Sequence, residues 1–164
     1  MSVFVKPAVC VLLTLLCVWL VRSFDGYVKR RRAESRELLF ICEVIRKSIA
    51  TSLSTPREAL GRTDELSSSA EQLRLAVVSG ATLSEAFSAV SRSMSLSGES
   101  ARMLSEYFRS FGKGYRADEL LCADEFIERY RKQIELEEAA DDAELKVTKS
   151  VIVAVTLGLI IFIA

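Results

Sequence analysis

The sequence contains no histidine. That removes the side chain most often used as a general base near neutral pH, and also the commonest metal ligand. Proline occurs twice and glycine seven times in 164 residues, too few for a protein built from strands and tight turns. Net charge is missing as well, because 22 Lys plus Arg balance 22 Asp plus Glu. No global field points to nucleic acid, and no nucleic-acid partner is expected. The four cysteines form no C-x-x-C pair: Cys10 and Cys17 lie seven apart, and Cys42 and Cys122 are isolated. That spacing gives no basis for a zinc or redox centre, no cofactor is expected, and small buried apolar residues are the favoured reading.

What the chain has instead is an uncharged apolar run near each end. Ala8 to Val21 reads AVCVLLTLLCVWLV, with Thr14 its one uncharged polar residue. Extended backwards past Pro7 and Lys6 it reaches about 19 residues, or ~28 Å of helix against a hydrocarbon core of ~30 Å. A signal peptide competes, but only Lys6 precedes the run, basic residues crowd behind it, and no small-x-small cleavage pattern follows Val21. An uncleaved anchor over residues 1–24 is expected. At the other end SVIVAVTLGLIIFIA, residues 150–164, is also uncharged and gives about 22 Å of helix. A buried core helix would fit that length, but two such runs enclosing a polar middle favour a membrane hairpin.

Basic residues gather beside the middle. Arg22, Lys29, Arg30, Arg31 and Arg32 follow the first run, Lys146 and Lys149 precede the second, and only Lys6 lies beyond them. Lys and Arg are retained on the cytoplasmic side during insertion. Residues 25–149 are therefore expected in the cytoplasm, with both termini on the far side. The basic cluster can also rest on anionic head groups, at ~1 kcal/mol per residue.

The middle reads as helix throughout, so the expected fold is all-α: a membrane-anchored bundle of about six helices with an apolar span at each terminus. From Arg31 to about Leu53 the residues Leu38, Ile41, Cys42, Ile45, Ile49 and Leu53 recur at three and four, the mark of one buried face. This helix can continue straight out of the membrane, with Gly26 as its soft point. In STPREAL, Thr55 is placed as N-cap, Pro56 at the first helical position and Glu58 at the third, a capping box opening a helix that Gly61 keeps short. A further helix runs from near Asp64 to a stop at Gly80. Thr82 and Glu85 repeat the box, with Leu83, Phe87 and Val90 on one face of a helix reaching about Met94. Ser97 caps the next, whose Met103, Leu104, Tyr107, Phe108 and Phe111 are expected in the core before Gly112 and Gly114 end it. FGKGYR, Phe111 to Arg116, lacks the glycine spacing and the Ser or Thr of a phosphate loop and reads as a turn. The last helix starts near Arg116, turns Leu120, Ala123, Ile127, Tyr130 and Ile134 inward, and meets no stop before the second apolar run.

Six carboxylates crowd this helix: Glu135, Glu137, Glu138, Asp141, Asp142 and Glu144. Such runs are usually solvated faces. A sharper expectation pairs them with Arg30 to Arg36, since both stretches lie ~12 Å along their helices from an apolar run. Each pair would be worth ~0 to 1 kcal/mol and would set register. The same run is a candidate partner-binding surface, as are Lys113 and Arg116 in the loop Gly112 to Arg116 and the turn Arg57 to Asp64.

The whole order resembles the stage III sporulation protein AB family over nearly the full chain. The residues that carry the resemblance are Thr55-Pro56-Arg57-Glu58-Ala59-Leu60, Gly80 with Leu83, Glu85, Ala86 and Phe87, Gly112 after Phe111, Glu138-Ala139, and Gly158-Leu159. The chain departs from that family at Arg116 to Leu121, which reads RADELL where a glutamine is expected, and in the acidity of its last helix. The resemblance implies a cytoplasmic domain similar to the helical F domain of type II secretion platforms. It also implies a place in the mother-cell membrane, within the channel complex that links mother cell and forespore. The implied partners are the secretion-type ATPase stage III sporulation protein AA and other channel components, and the implied role is that of a non-enzymatic platform or adaptor.

Composition agrees with such a role. An enzyme would need an activated nucleophile, a metal set or paired carboxylates in a pocket, whereas Ser, Asp and Glu here fall mainly at caps and on polar faces. A pore would need polar groups along the spans, which hold only Thr14 and Thr156. A membrane-tethered receptor or signalling module is the alternative, because a helical bundle can receive a signal as readily as a motor. The sequence leaves open whether the chain forms a homo-oligomer.

Overall fold

The computed structural model describes residues 5–51, 55–63 and 66–163. Among them six α-helices run in the order α1 (Val5–Thr51), α2 (Pro56–Gly61), α3 (Ser68–Ser79), α4 (Leu83–Val90), α5 (Gly98–Ser110) and α6 (Arg116–Ile163), with a 3-10 turn at Ser91–Ser93. No strand occurs among the described residues, so the all-α expectation holds. The chain divides into two compact units, one joining α1 up to Lys29 with α6 from Glu137, the other spanning Arg30–Leu136.

In the larger unit the helix ends are set by local chemistry. The Thr55 hydroxyl accepts from the Glu58 N–H while the Glu58 carboxylate accepts from the Thr55 N–H, and Pro56 occupies the first position. Thr82 and Glu85 repeat that reciprocal pair at α4, and the Ser97 hydroxyl accepts from Ser100 N–H at α5. Each box satisfies two backbone donors that the first helical turn leaves unpaired. Gly80 ends α3 at φ 114, in the left-handed region that costs a glycine least.

The core follows the spacing of apolar residues. Leu38, Ile41, Cys42 and Ile45 of α1 are buried, with Ile49 packed against them; Leu53 lies outside the described residues. Leu73 and Val77 of α3, Leu83, Phe87 and Val90 of α4, and Leu104, Tyr107 and Phe108 of α5 complete one side. Ala123, Ile127, Tyr130 and Ile134 of α6 complete the other, with Leu120 half-buried. Phe87 meets Phe108 edge-on at 5.3 Å, and the Tyr107 ring stacks on Phe126 at 4.0 Å, which in turn stacks on Tyr130 at 5.5 Å. Here α1 and α6 run antiparallel, tied by Arg46 to Asp124 at 2.7 Å and by Arg131 to Glu43 at 2.7 Å.

Some boundaries differ from expectation. Helix α3 opens at Ser68 rather than near Asp64, a residue outside the described set. Ser67 is held extended while its N–H donates to the Glu37 carboxylate at 3.1 Å, which fixes the entry point. Helix α4 ends at Val90, where the chain tightens into the 3-10 turn, and Met94 is already extended. Gly26 does not interrupt α1, which is continuous through it.

The smaller unit joins the two apolar helix ends and includes the polar stretch of α6 from Glu137 to Lys149. Their partly buried positions recur at three and four: Cys10, Leu13, Cys17, Val21 and Phe24 on α1, and Leu145, Lys149, Ile152, Thr156 and Ile160 on α6. Such spacing is the seam of two helices lying side by side. The Asp25 carboxylate joins them, accepting from Lys149 Nζ at 3.1 Å and pairing with Lys29 on its own helix at 2.9 Å. The apolar run precedes Asp25 in α1 and follows Lys149 in α6, so the two ends form an antiparallel hairpin. The hydroxyls of Thr14 and Thr156 turn back to the carbonyls of Cys10 and Ile152, so neither presents an unmade donor to the apolar faces.

Candidate functional site

The basic cluster, the acidic run and the Gly112–Arg116 loop occupy different environments. In the cluster, Arg22 is exposed and Lys29 is paired with Asp25. Those two lysines, Lys29 first and Lys149 second, hold the Asp25 carboxyl below its ordinary range. Arg30 faces the bundle, donating from Nε to Glu34 at 2.9 Å and from Nη2 to the Ser93 carbonyl at 3.3 Å. Arg31 and Arg32 are half-buried.

The acidic run is not a uniform solvated face. Glu135, Asp142 and Glu144 are exposed, Glu137 and Glu138 are half-buried, and Asp141 is only 2% exposed. In the loop, Gly112 adopts φ 81 and Lys113 and Tyr115 are exposed, while Gly114 N–H donates to the Glu119 carboxylate at 3.2 Å. Arg116 is drawn back onto α1, where its guanidinium donates to the carbonyls of Ile49 and Ala50 at 2.8 and 2.6 Å. Arg57, expected in a turn, instead lies in the first turn of α2 and donates from Nε to the Val78 carbonyl at 2.6 Å.

Sequence reasoning missed Glu34. Its side chain is buried, and it accepts from Arg30, from Ser69 Oγ at 3.2 Å and from Ser95 N–H. One carboxylate thus fastens α1 to the start of α3 and to the segment before α5. The available signal was its place on the apolar face: Glu34, Leu38, Ile41 and Ile45 share one spacing. Cysteine also behaves differently from expectation at Cys122, which is exposed. It lies about 100° round α6 from the inward position Ala123, since the helix turns by 3.6 residues. Cys42 is buried as expected, and burial pushes its thiol pKa up, which leaves it inert.

Several serine hydroxyls donate to nearby carbonyls, as in Ser48 to Ile45, Ser88 to Glu85 and Ser110 to Tyr107. Among the described residues no group of three His, Cys, Asp or Glu side chains is placed to hold a metal ion. The polar side chains that reach between elements act as caps and ion pairs.

A family model described as stage III sporulation protein AB (spore_III_AB) matches residues 6–164. The chain belongs to the stage III sporulation protein AB family. Neither the comparison with curated proteins nor the comparison with solved structures returned a match. Family membership places the chain in sporulation, and the match takes in both apolar helix ends as well as the bundle between them. Two helices of this family member, α1 and α6, are long and apolar enough to cross a membrane, with mean hydropathies of 1.9 and 2.0 in their most apolar windows. A membrane location fits both observations.

Proposed function

We propose that the chain is a non-enzymatic platform of the sporulation channel complex, anchored in the mother-cell membrane and docking the secretion-type ATPase stage III sporulation protein AA. The observation that carries this reading is continuity. Each of two helices is a single unbroken element from an apolar end into the bundle, α1 over 47 residues and α6 over 48. A helix that spans a bilayer and also supplies one side of a domain core joins the membrane to that domain directly. An adaptor between a cytoplasmic motor and a membrane assembly needs such a link, and the caps and ion pairs make the attached bundle a defined shape for a partner to grip.

In this reading residues 1–24 and 150–164 are the spans and residues 25–149 form the cytoplasmic domain. Positive residues set the orientation, because Arg22, Lys29 and Lys149 flank the apolar runs on the side of the bundle. The pairs drawn from these residues and Asp25 lie where a head-group layer begins. Catalysis is not assigned in this reading: Cys42 is buried, and the serine hydroxyls described above donate to backbone carbonyls.

The test is direct binding of the purified ATPase to the full chain in lipid nanodiscs, read by interferometry. Saturable binding to the folded protein is the expected result. No binding by a folded chain would favour the membrane-tethered receptor instead.

A further inference from the structure

Beside the seam of the helix hairpin, one flank of α6 is hollowed into a groove of about 460 Å³, lined on successive turns by Lys149, Ser150, Val153, Ala154 and Leu157. Its two ends differ in chemistry. Lys149 is the last charged residue of the chain, and it stands with Ser150 at the mouth of the groove. Below them the lining is apolar, with Val153 and Leu157 47% and 55% exposed on either side of the short Ala154 side chain. The seam positions Ile152, Thr156 and Ile160 are partly buried, so the helix face turned to α1 is already occupied and the groove opens beside it. A polar mouth where charge ends, with an apolar trough running on into the span, has the form of a phospholipid: head group at the boundary, acyl chain in the hydrocarbon.

Charge then selects the lipid. Lys149 Nζ donates to Asp25, and Asp25 also pairs with Lys29. An ammonium carries three donors, so Lys149 has others to offer a phosphate. Lys146 is exposed one turn earlier, and Ser150 Oγ donates to its carbonyl. Three lysines thus meet one carboxylate at the mouth, while the nearest carboxylates on α6, Asp142 and Glu144, precede Lys146. That surplus favours an anionic head group over a zwitterionic one, at ~1 kcal/mol per lysine near the surface. It also disfavours a second copy of the chain as occupant, because two α6 helices packed in parallel along this groove would bring each Lys146 close to its counterpart.

We propose that α6 carries a selective site for one anionic phospholipid, with the phosphate held by Lys146 and Lys149 and an acyl chain lying over Ala154 between Val153 and Leu157. A diffuse attraction of head groups to basic residues would need no groove; here the groove and the lysines share one helix flank, so head group and chain are recognised together. The site rests on the membrane placement of the spans proposed above and on no part of ATPase docking.

The experiment is native mass spectrometry of the full chain in detergent, titrated with dioleoyl phosphatidylglycerol or dioleoyl phosphatidylcholine. A single saturable adduct with phosphatidylglycerol is expected, about tenfold tighter than with phosphatidylcholine, a difference of about 1.4 kcal/mol. Lys146→Gln with Lys149→Gln should bring the two lipids level. Ala154→Phe fills the groove with the lysines intact and should weaken binding of both lipids severalfold. Val155→Phe, at an exposed position of the same helix outside the groove, should bind as the parent does. Millimolar glycerol 3-phosphate should not displace the lipid, because it brings the phosphate without the chain. Equal affinity of the parent for the two lipids, equal loss in Ala154→Phe and Val155→Phe, displacement by glycerol 3-phosphate, or a dimer that takes up no lipid would overturn the proposal. Flotation with liposomes separates the two readings: a chain that fails to float loses its spans and this site together, whereas a floating chain with no preference for phosphatidylglycerol loses the site alone.

Discussion

The guanidinium of Arg116 closes the end of α1, donating from Nε to the carbonyl of Ile49 at 2.8 Å across 67 positions of sequence. Its Nη2 takes the next carbonyl, that of Ala50. The last carbonyls of a helix have no intrahelical donor and carry the negative end of its dipole, so a planar cation with two aligned donors suits them. Arg116→Ala is expected to destabilise the protein by about 1 kcal/mol, and Arg116→Lys to recover only part, because it keeps the charge and loses the fork. Thermal unfolding in detergent checks both. Lys113→Ala, three residues away in the exposed loop, should change stability by no more than ~0.5 kcal/mol.

Glu34 should matter more. Its carboxylate serves Arg30, Ser69 and the Ser95 N–H from a buried position. Glu34→Ala leaves one buried donor, one half-buried donor and one arginine without their acceptor, and the expected loss is about 3 kcal/mol. Glu34→Gln keeps the shape and one acceptor and should fall between. Hydrogen exchange adds a spatial check, since the Glu34→Ala change should lower protection in α3 and at the start of α5 before it does so in α6. Uniform loss across all helices would show that Glu34 does not fasten those segments locally.

The caps give a narrower expectation. Thr55→Ala and Thr82→Ala each remove the hydroxyl of a capping box and should each cost about 1 kcal/mol. Serine at either position should restore nearly all of it. Gly80→Ala forces a side chain into φ 114 and is expected to cost roughly 1 kcal/mol or more. These changes lie outside the apolar helix ends, so circular dichroism of the whole chain during a denaturant titration will register them as shifts in midpoint.

Features legible from the sequence were those set by neighbours in the chain. Thr55 and Glu58 lie three residues apart, and so do Thr82 and Glu85, so their boxes could be read without knowing the fold; the buried seam from Leu38 to Ile45 followed from spacing alone. What was hidden depends on distant partners. The start of α3 is fixed by Glu37, thirty positions earlier. Arg116 read as a loop cation open to a partner, and the structure spends it on α1. The acidic run was expected to behave as one surface, yet its six members range from exposed to buried at Asp141 because a helix turns them to every side. Tyr107 read as a core residue, and only the structure shows it stacked on Phe126, which the sequence reading did not single out.

Acid should test the ion pairs. Hydrogen bonding from Arg46 holds the Asp124 carboxyl below its ordinary value of 3.8. A carboxylate whose pKa is depressed in the folded state adds stability that is complete above the unfolded pKa and is lost as pH falls through the folded one. Glu71, Glu85, Glu99 and Glu128 are shifted in the same direction from 4.5, held by Arg74, Thr82, Arg102 and Lys132 respectively. Stability is therefore expected to be flat above about pH 5 and to fall progressively below pH 4. Asp124→Asn should lower the plateau slightly and make the acid limb shallower. A variant whose acid limb superposes on the parent would show that this pair contributes nothing measurable.

Orientation can be read from one thiol. Cys122 is exposed on the bundle, Cys42 is buried, and Cys10 and Cys17 lie in the apolar part of α1. A membrane-impermeant maleimide should therefore report Cys122 almost alone. If the bundle faces the cytoplasm, Cys122 in intact cells stays unlabelled until the membrane is opened, and Cys122→Ala abolishes the signal that appears on lysis. Labelling of intact cells would reverse the assigned orientation, and with it the access of a cytoplasmic ATPase to the bundle. A cysteine introduced at Ser2 gives the opposite pattern when the termini lie on the far side, so the two positions check each other in one experiment.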